Sequence, residues 1–284
     1  MRQISLPSGY NCSFTAPVGL PVALSPLVTR VLAPNPGPFT FRGTGVYLVS
    51  AGVEVAVIDP GPLQDDHIAA LLRAIGTRRV SHILITHTHS DHSQGADALK
   101  ALTGAKTYGF GPQGAASTGE EADDTDFIPD VRLRDGDVIA GDGFTLSVLH
   151  TPGHASNHLC YGLDEARALF TGDTVMGWSS SVIAPPDGDM GAYLQSLKRL
   201  IARDDAMLYP THGAPIAEPA AYMTALLAHR LAREAAILAA RARGVMDVAG
   251  LVDEIYAGLD PVLRPAAALT VLAHLQKLER DGPG

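Results

Sequence analysis

The run Thr86-His87-Thr88-His89-Ser90-Asp91-His92 places the tightest constraint on how this chain can fold, because four potential metal donors follow directly on the apolar segment VSHILI. A short apolar run bounded by polar residues reads as a buried strand. Helical spacing resumes at ADALKALTG, closed by Gly104. The donors therefore occupy a strand-to-helix loop. Residues two apart leave a strand end on the same side, so His87 and His89 can converge on one ion. As the chain turns into the helix, Asp91 and His92 can face a second ion beside the first. Imidazole nitrogen and carboxylate oxygen suit Zn²⁺. A solvated polar loop has no use for three histidines and an aspartate at this spacing.

The flanking segments build a sheet for that loop. Seven prolines between Pro7 and Pro38 exclude a long helix and predict an extended lead-in. GVYLVS and VEVAVIDPG are β-branched runs that predict a hairpin, and DDHIAALLRAIG carries Ile68, Leu71, Leu72 and Ile75 at helical spacing. Further strands are expected at AKTYGF, FTLSVLHT, HLCYGL, ALFTGD and AMLYPTHG. Each polar cluster then follows a strand, the placement from which α/β proteins build sites. After Ala217 the pattern becomes helical, roughly Pro219 to Arg243, Asp247 to Gly258 and Pro265 to Arg280.

At 284 residues the chain can bury a full core. No apolar run reaches membrane-spanning length, and Pro7, Ser8, Gly9 and Asn11 break any signal-peptide core, so a soluble cytoplasmic protein is expected. Only Cys12 and Cys160 are present, too few for a disulfide framework. The net charge of −9 argues against a surface built to grip a phosphate backbone. Arg230, Arg233, Arg241 and Arg243 fall in one late helix and read as a solvated face.

The run THTHSDH matches the H-x-H-x-D-H signature, and over about residues 40 to 217 the chain resembles the metallo-β-lactamase superfamily, with His154 in TPGHAS, Asp173 in FTGD and His212 in PTHG following in order. The resemblance implies one metal site of His87, His89 and His154, a second of Asp91, His92 and His212, and Asp173 bridging them. It implies an α/β fold, a four-layer αββα sandwich in residues 1–218. PNPGPFTFRGTGVYLV, HTPGHASNH and the C-terminal AAALTVLAHLQKLERDG are similar to the β-lactamase-like protein 2 group, whose studied eukaryotic member is an endoribonuclease. That likeness implies a small helical, winged-helix-like C-terminal domain in residues 219–284, although no β-wing is evident before Gly284.

The expected function is a dinuclear zinc-dependent hydrolase in which two Zn²⁺ ions bring a shared water towards ionisation at neutral pH, with Asp91 orienting it. Mn²⁺ or Fe are alternative metals. Glu commonly replaces the His89 position in flavodiiron reductases, which speaks against that redox class. A small ester, thioester or related acyl compound is the expected substrate. Single-stranded RNA is the alternative, and a metal-free binding protein is the third reading. His158 is a candidate proton donor or a supporting histidine. Asp59, in VIDPG, either orients a ligand imidazole or forms the turn. The segment GWSSSVIAPPDGDMGAY after Asp173 reads as a loop that walls the site, with Trp178 and Ser179 to Ser181 as candidate substrate contacts. His67, His82, His150, His229 and His274 are expected to be structural. A homodimer is left open.

Overall fold

The computed structural model describes residues 10–115 and 123–282. Pro7, Ser8 and Gly9 lie outside them. Two sheets form the centre of the molecule. The first has seven strands in sequential order, β1 (Pro21–Ala23), β2 (Val28–Leu32), β3 (Gly45–Val49), β4 (Glu54–Ile58), β5 (Arg79–Leu84), β6 (Lys106–Gly109) and β7 (Val131–Arg132). The second has the order β12 (Met207–Pro210), β11 (Ala168–Gly172), β10 (Leu159–Leu163), β9 (Phe144–His150), β8 (Val138–Gly141).

The two-residue alternation of side chains explains the layering. In β3, Tyr47 and Val49 enter the core between the sheets, while Val46 and Leu48 enter a separate outer core. In β4, Ala56 and Ile58 point between the sheets and Val55 and Val57 outward. β10 does the same, with Leu159, Tyr161 and Leu163 inward and Cys160 outward. Both faces are buried, which is why these strands read as nearly unbroken apolar runs. The outer core of the first sheet is covered by α1 (Asp65–Ile75) and α3 (Gly95–Thr103), through Ile68, Leu71, Ile75 and Leu99. Helices α4 (Met190–Ile201) and α5 (Pro219–Ala242) cover the second, through Tyr193, Leu197, Leu200, Met223 and Leu226. The result is the expected four-layer sandwich.

Beyond it, α5 runs on to pack with α6 (Val248–Ile255) and α7 (Arg264–Asp281) around Ile237, Leu251, Val252 and Val271. No strand follows Pro210 among the described residues.

Three expectations need correction. The sheet begins before Gly45, since the proline-rich lead-in supplies β1 and β2, and β2 pairs with β3 along its whole length. The stretch read as loop up to Tyr193 becomes α4 at Met190, capped by the Asp189 carboxylate accepting from Ala192 N–H at 2.9 Å. Arg230 and Arg233 are not solvated but 1% and 7% exposed, because α5 is enclosed by α4 on one side and α6 on another. Arg243 is exposed and pairs with Glu254. Both cysteines are free thiols, and burial pushes Cys160 up to about 12. No helix among the described residues is long and apolar enough to cross a membrane.

Candidate metal centre

Parallel pairing of β4 with β5, and of β11 with β12, brings four strand ends to the same edge of the sandwich. β4 delivers Asp59, β5 delivers Thr86 and His87, β11 delivers Asp173, and β12 delivers Thr211 and His212. The loop after β9 adds His154, and the short α2 (Ser90–Ser93) adds Asp91 and His92. All seven residues expected to bind metal are therefore brought together. Their donor atoms fall into three groups, each within 4.8 Å: His87, His89 and His154; His87, His92 and Asp173; and Asp91, His92 and His212.

Four of the five ligand imidazoles are aimed by a partner on their other nitrogen. His92 Nδ1 donates to Asp59 Oδ2 at 2.8 Å, His154 Nδ1 to the Val182 carbonyl at 2.7 Å, and His212 Nδ1 to the Gly43 carbonyl at 3.2 Å. Thr86 Oγ1 lies 3.1 Å from His87 Nδ1. These four rings therefore present Nε2 to the centre, whereas His89 presents Nδ1. His89 Nδ1 is 2.9 Å from His87 Nε2 and 3.1 Å from His154 Nε2. Two nitrogens bound tetrahedrally to one Zn²⁺ stand about 3.3 Å apart, so this triad has the spacing of a metal site.

Charge divides the cluster in two. Burial and neighbouring imidazoles hold His87 and His89 neutral, with His89 lowered to about 3. Neutral imidazole is the ligand form. At His92 burial again opposes charge, but Asp91, Asp173 and Asp59 outweigh it and raise the group. At His212 Asp173 and Asp91 likewise outweigh burial, raising it to about 9. Burial would raise the Asp173 carboxyl, yet His212 and His92 hold it well below the usual range. This half of the site favours positive charge. His92 Nε2 and Asp173 Oδ1 are buried and have no hydrogen-bond partner, as donor atoms reserved for a metal would be. The residues fit a pair of divalent ions.

Asp91 is the most open of the seven, with 20% of its side chain exposed. Its Oδ2 accepts from Thr44 Oγ1 at 3.1 Å. His158 is fully buried, and its Nε2 accepts from the Asp173 N–H at 3.1 Å. Its Nδ1 meets Thr151 Oγ1 at 2.9 Å and Thr174 Oγ1 at 3.2 Å. With both nitrogens engaged, this ring holds Asp173 in place, which favours the supporting role over that of proton donor. Gly172 makes room for it, since a Cβ there would lie 2.5 Å from His158 Nε2. Asp59 adopts a left-handed φ of 49° and accepts from Thr86 N–H and Thr86 Oγ1, both at 2.8 Å, as well as from His92. It is a supporting carboxylate, not only a turn former.

Sequence reading missed Thr44, Thr86, Thr211 and the Gly43 and Val182 carbonyls, because a threonine or a peptide oxygen carries no signal of its own. Two of the histidines expected to be structural are engaged away from the centre: His67 Nε2 bonds the Pro60 carbonyl at 2.9 Å, and His150 Nε2 bonds the Ser156 carbonyl at 2.9 Å.

Comparison with known proteins agrees with this geometry. Residues 40–212 match the sequence model described as Metallo-beta-lactamase superfamily, and residues 248–283 match the Beta-lactamase associated winged helix domain. The chain is similar to the atrochrysone carboxyl ACP thioesterase AgnL7 of Paecilomyces divaricatus, at 32% identity covering 91% of this chain and 82% of that protein. It is similar to the beta-lactamase-like protein 2 homolog of Caenorhabditis elegans, at 31% identity covering 91% and 86%. A beta-lactamase domain protein from Burkholderia ambifaria shares the fold, with a TM-score of 0.81 and 23% identity over 96% of this chain and 92% of that one.

Proposed function

This chain belongs to the metallo-beta-lactamase superfamily and is a metal-dependent hydrolase, and from that premise we propose that it is a dinuclear zinc thioesterase. His87, His89 and His154 would hold one ion and Asp91, His92 and His212 the other, with Asp173 between them. When bound, the ions supply Lewis acidity and bring the ionisation of a water towards neutral pH.

The chain's own residues set the direction of the chemistry. Asp91, partly open and fixed by Thr44, orients the water and takes its proton. Asp173 is held from behind by His158 and by Ser181 Oγ, which donates to the Asp173 carbonyl at 2.5 Å. A C–O bond forms from water, the C–S bond breaks, and the departing sulfur takes a proton, giving a carboxylic acid and a thiol. No serine or cysteine nucleophile is required, and the buried Cys160 has no part in it.

The observation that carries the reading is the convergence of seven buried or nearly buried His and Asp donors with one carboxylate, Asp91, left open. The choice of thioester is supported by the similarity to a protein named as a carboxyl ACP thioesterase. The alternative RNA substrate has lost two of the four arginines that would have gripped phosphates, since Arg230 and Arg233 are buried. The test is a zinc-loaded activity screen of acyl thioesters, oxygen esters, lactones, β-lactams and single-stranded RNA, with Asp91→Ala as control. Thioester turnover lost in Asp91→Ala supports the proposal. RNA cleavage without thioester turnover, or full turnover by Asp91→Ala, overturns it.

A further inference from the structure

Between the catalytic sandwich and the C-terminal helices lies a cavity of about 110 Å³. Its walls are mainly apolar, with Phe39, Met176 and Trp178 on one side and Tyr256, Leu259 and Leu263 on the other. Arg230, 1% exposed, lines it too, and no Asp or Glu does. A guanidinium stays protonated in proteins, and a buried charge is normally paired. Arg230 instead donates from Nη2 to the Ser181 carbonyl, lies over the Tyr193 ring at 5.1 Å, and leaves Nε without a partner. No carboxylate within ion-pair distance of it is found among the described residues. The groups that share its surroundings add no negative charge: Arg233 is buried over Tyr256, and neither ring nitrogen of His229 has a partner. Glu234, the nearest acid along α5, is taken by Lys277 at 3.0 Å and His274 at 3.3 Å.

A second donor on the same wall is also unused. Trp178 Nε1 is buried and has no hydrogen-bond partner, although its ring is fixed by stacking on Phe41 at 4.7 Å. Two orphaned N–H groups, one of them on a full positive charge, thus border one apolar-walled space. Buried donors of this kind call for a partner. Water satisfies an N–H but brings no charge to offset the guanidinium, whereas an anion does both.

We propose that this cavity is a binding site for a small monocarboxylate, with the carboxylate on Arg230 and Trp178 and a short apolar tail against Met176, Leu259 and Leu263. The site is separate from the metal centre and does not depend on the thioesterase reading. Its size sets the ligand: an engineered cavity of about 150 Å³ holds the six or so carbons of one benzene, so about 110 Å³ holds roughly four non-hydrogen atoms, those of acetate. The planar fork of the guanidinium matches a planar carboxylate, and the apolar walls suit a methyl group better than a tetrahedral anion that keeps its water. Such a ligand bridges α5 and the loop that carries Trp178. Occupancy therefore ties the C-terminal helices to the segment whose Gly177 N–H, Ser181 hydroxyl and Val182 carbonyl hold His212, Asp173 and His154.

The test compares acetate, its uncharged isostere acetamide and the bulkier pivalate on the full chain, with ionic strength held constant by sodium gluconate, which is too large to enter. Trp178 is the only tryptophan, so its fluorescence reports on the cavity wall. Acetate should change that fluorescence saturably and raise the melting temperature by a few degrees over the same concentration range. Acetamide and pivalate should do neither. Arg230→Met should weaken acetate binding by about tenfold or more. Because this variant also frees the Ser181 carbonyl, Ala266→Leu serves as a second one that narrows the cavity and leaves Arg230 in place. It should abolish the acetate response as well. The three ligands on wild type discriminate without either variant. Equal responses to acetate and acetamide, pivalate binding as tightly as acetate, no saturable response to acetate, or undiminished acetate binding in Arg230→Met overturns the proposal.

Discussion

Replacing Asp59 by Asn changes one atom and keeps the shape, so it isolates what the charge does. Asn tolerates the left-handed φ of 49° that Asp59 adopts, and the backbone has no reason to move. One side-chain oxygen can still accept from Thr86 N–H, as Asp59 Oδ1 does at 2.8 Å. The amide nitrogen then takes the place of Oδ2, 2.8 Å from His92 Nδ1 and from Thr86 Oγ1. That nitrogen donates, so His92 can satisfy it only by presenting a lone pair at Nδ1, which moves the ring proton to Nε2. Nε2 is the atom that faces Asp91 at 3.5 Å and Asp173 at 3.6 Å, and a protonated nitrogen cannot bind metal. A hydrogen bond to a charged group contributes about 1.5–3 kcal/mol. Loss of a carboxylate behind a ligand histidine weakens metal affinity by about 10- to 100-fold. Zinc affinity measured by chelator competition should fall by that factor at the site of Asp91, His92 and His212, with little change at the other. Thioester turnover at saturating zinc should recover in part. Zinc affinity within twofold of wild type would refute the assignment of Asp59 as the residue that sets the His92 tautomer.

Burial, followed by the nearby Arg230, lowers His229 and His274 to about 4. With folded values below the unfolded 6.5, their stability contribution is full above about pH 6.5 and is lost as pH falls towards 4, by at most about 3 kcal/mol each. His229→Gln should flatten the fall in melting temperature between pH 7.5 and 5, and an unchanged slope would count against it. Asp189→Ala removes the cap of α4 and the ion pair to Arg280. It should cost about 1 kcal/mol and lower the melting temperature by a few degrees at pH 7. Arg280 holds the Asp189 carboxyl low, so wild type and variant should converge only as pH falls below the usual carboxylate range. Tyr161→Phe strands the buried Ile85 carbonyl, which accepts from Tyr161 Oη at 2.7 Å. A loss of about 1–3 kcal/mol in denaturant unfolding is expected, and no change would show that water replaces the hydroxyl.

The core of this fold was legible because the nearly unbroken apolar runs of its strands report a physical fact, burial on both faces. The metal centre was legible for a different reason: four donors crowd into one strand-to-helix loop, a cost with no structural return unless they bind something. What could not be read lies at long sequence separation. Thr44 meets Asp91 across 47 residues and Thr211 meets Asp59 across 152, and each is an ordinary threonine until the strands align. The arginines of α5 failed for the opposite reason. Charge on a helix predicts solvent unless other helices enclose it, and the enclosure of Arg230 and Arg233 is a tertiary fact that helical spacing does not encode.

That enclosure bears on how the C-terminal helices relate to the reaction. Tyr222 Oη donates to the Met176 carbonyl at 2.6 Å, Arg230 to the Ser181 carbonyl, and Thr270 Oγ1 accepts from the Ile183 N–H at 3.4 Å. Arg280 reaches Asp189. Four bonds from α5 and α7 thus fall between residues 176 and 189, the same span whose Gly177 N–H, Ser181 hydroxyl and Val182 carbonyl hold His212, Asp173 and His154. The alternative, helices that only shield an outer face, would place these bonds on the sheet or on α4. Instead three of the four bear on the ligand-carrying loop and the fourth on the cap of α4, and the cavity with its unpaired guanidinium lies between loop and helices. A residue buried on α5 is therefore one short chain of contacts from the metal ligands, and the helices are part of what shapes the site.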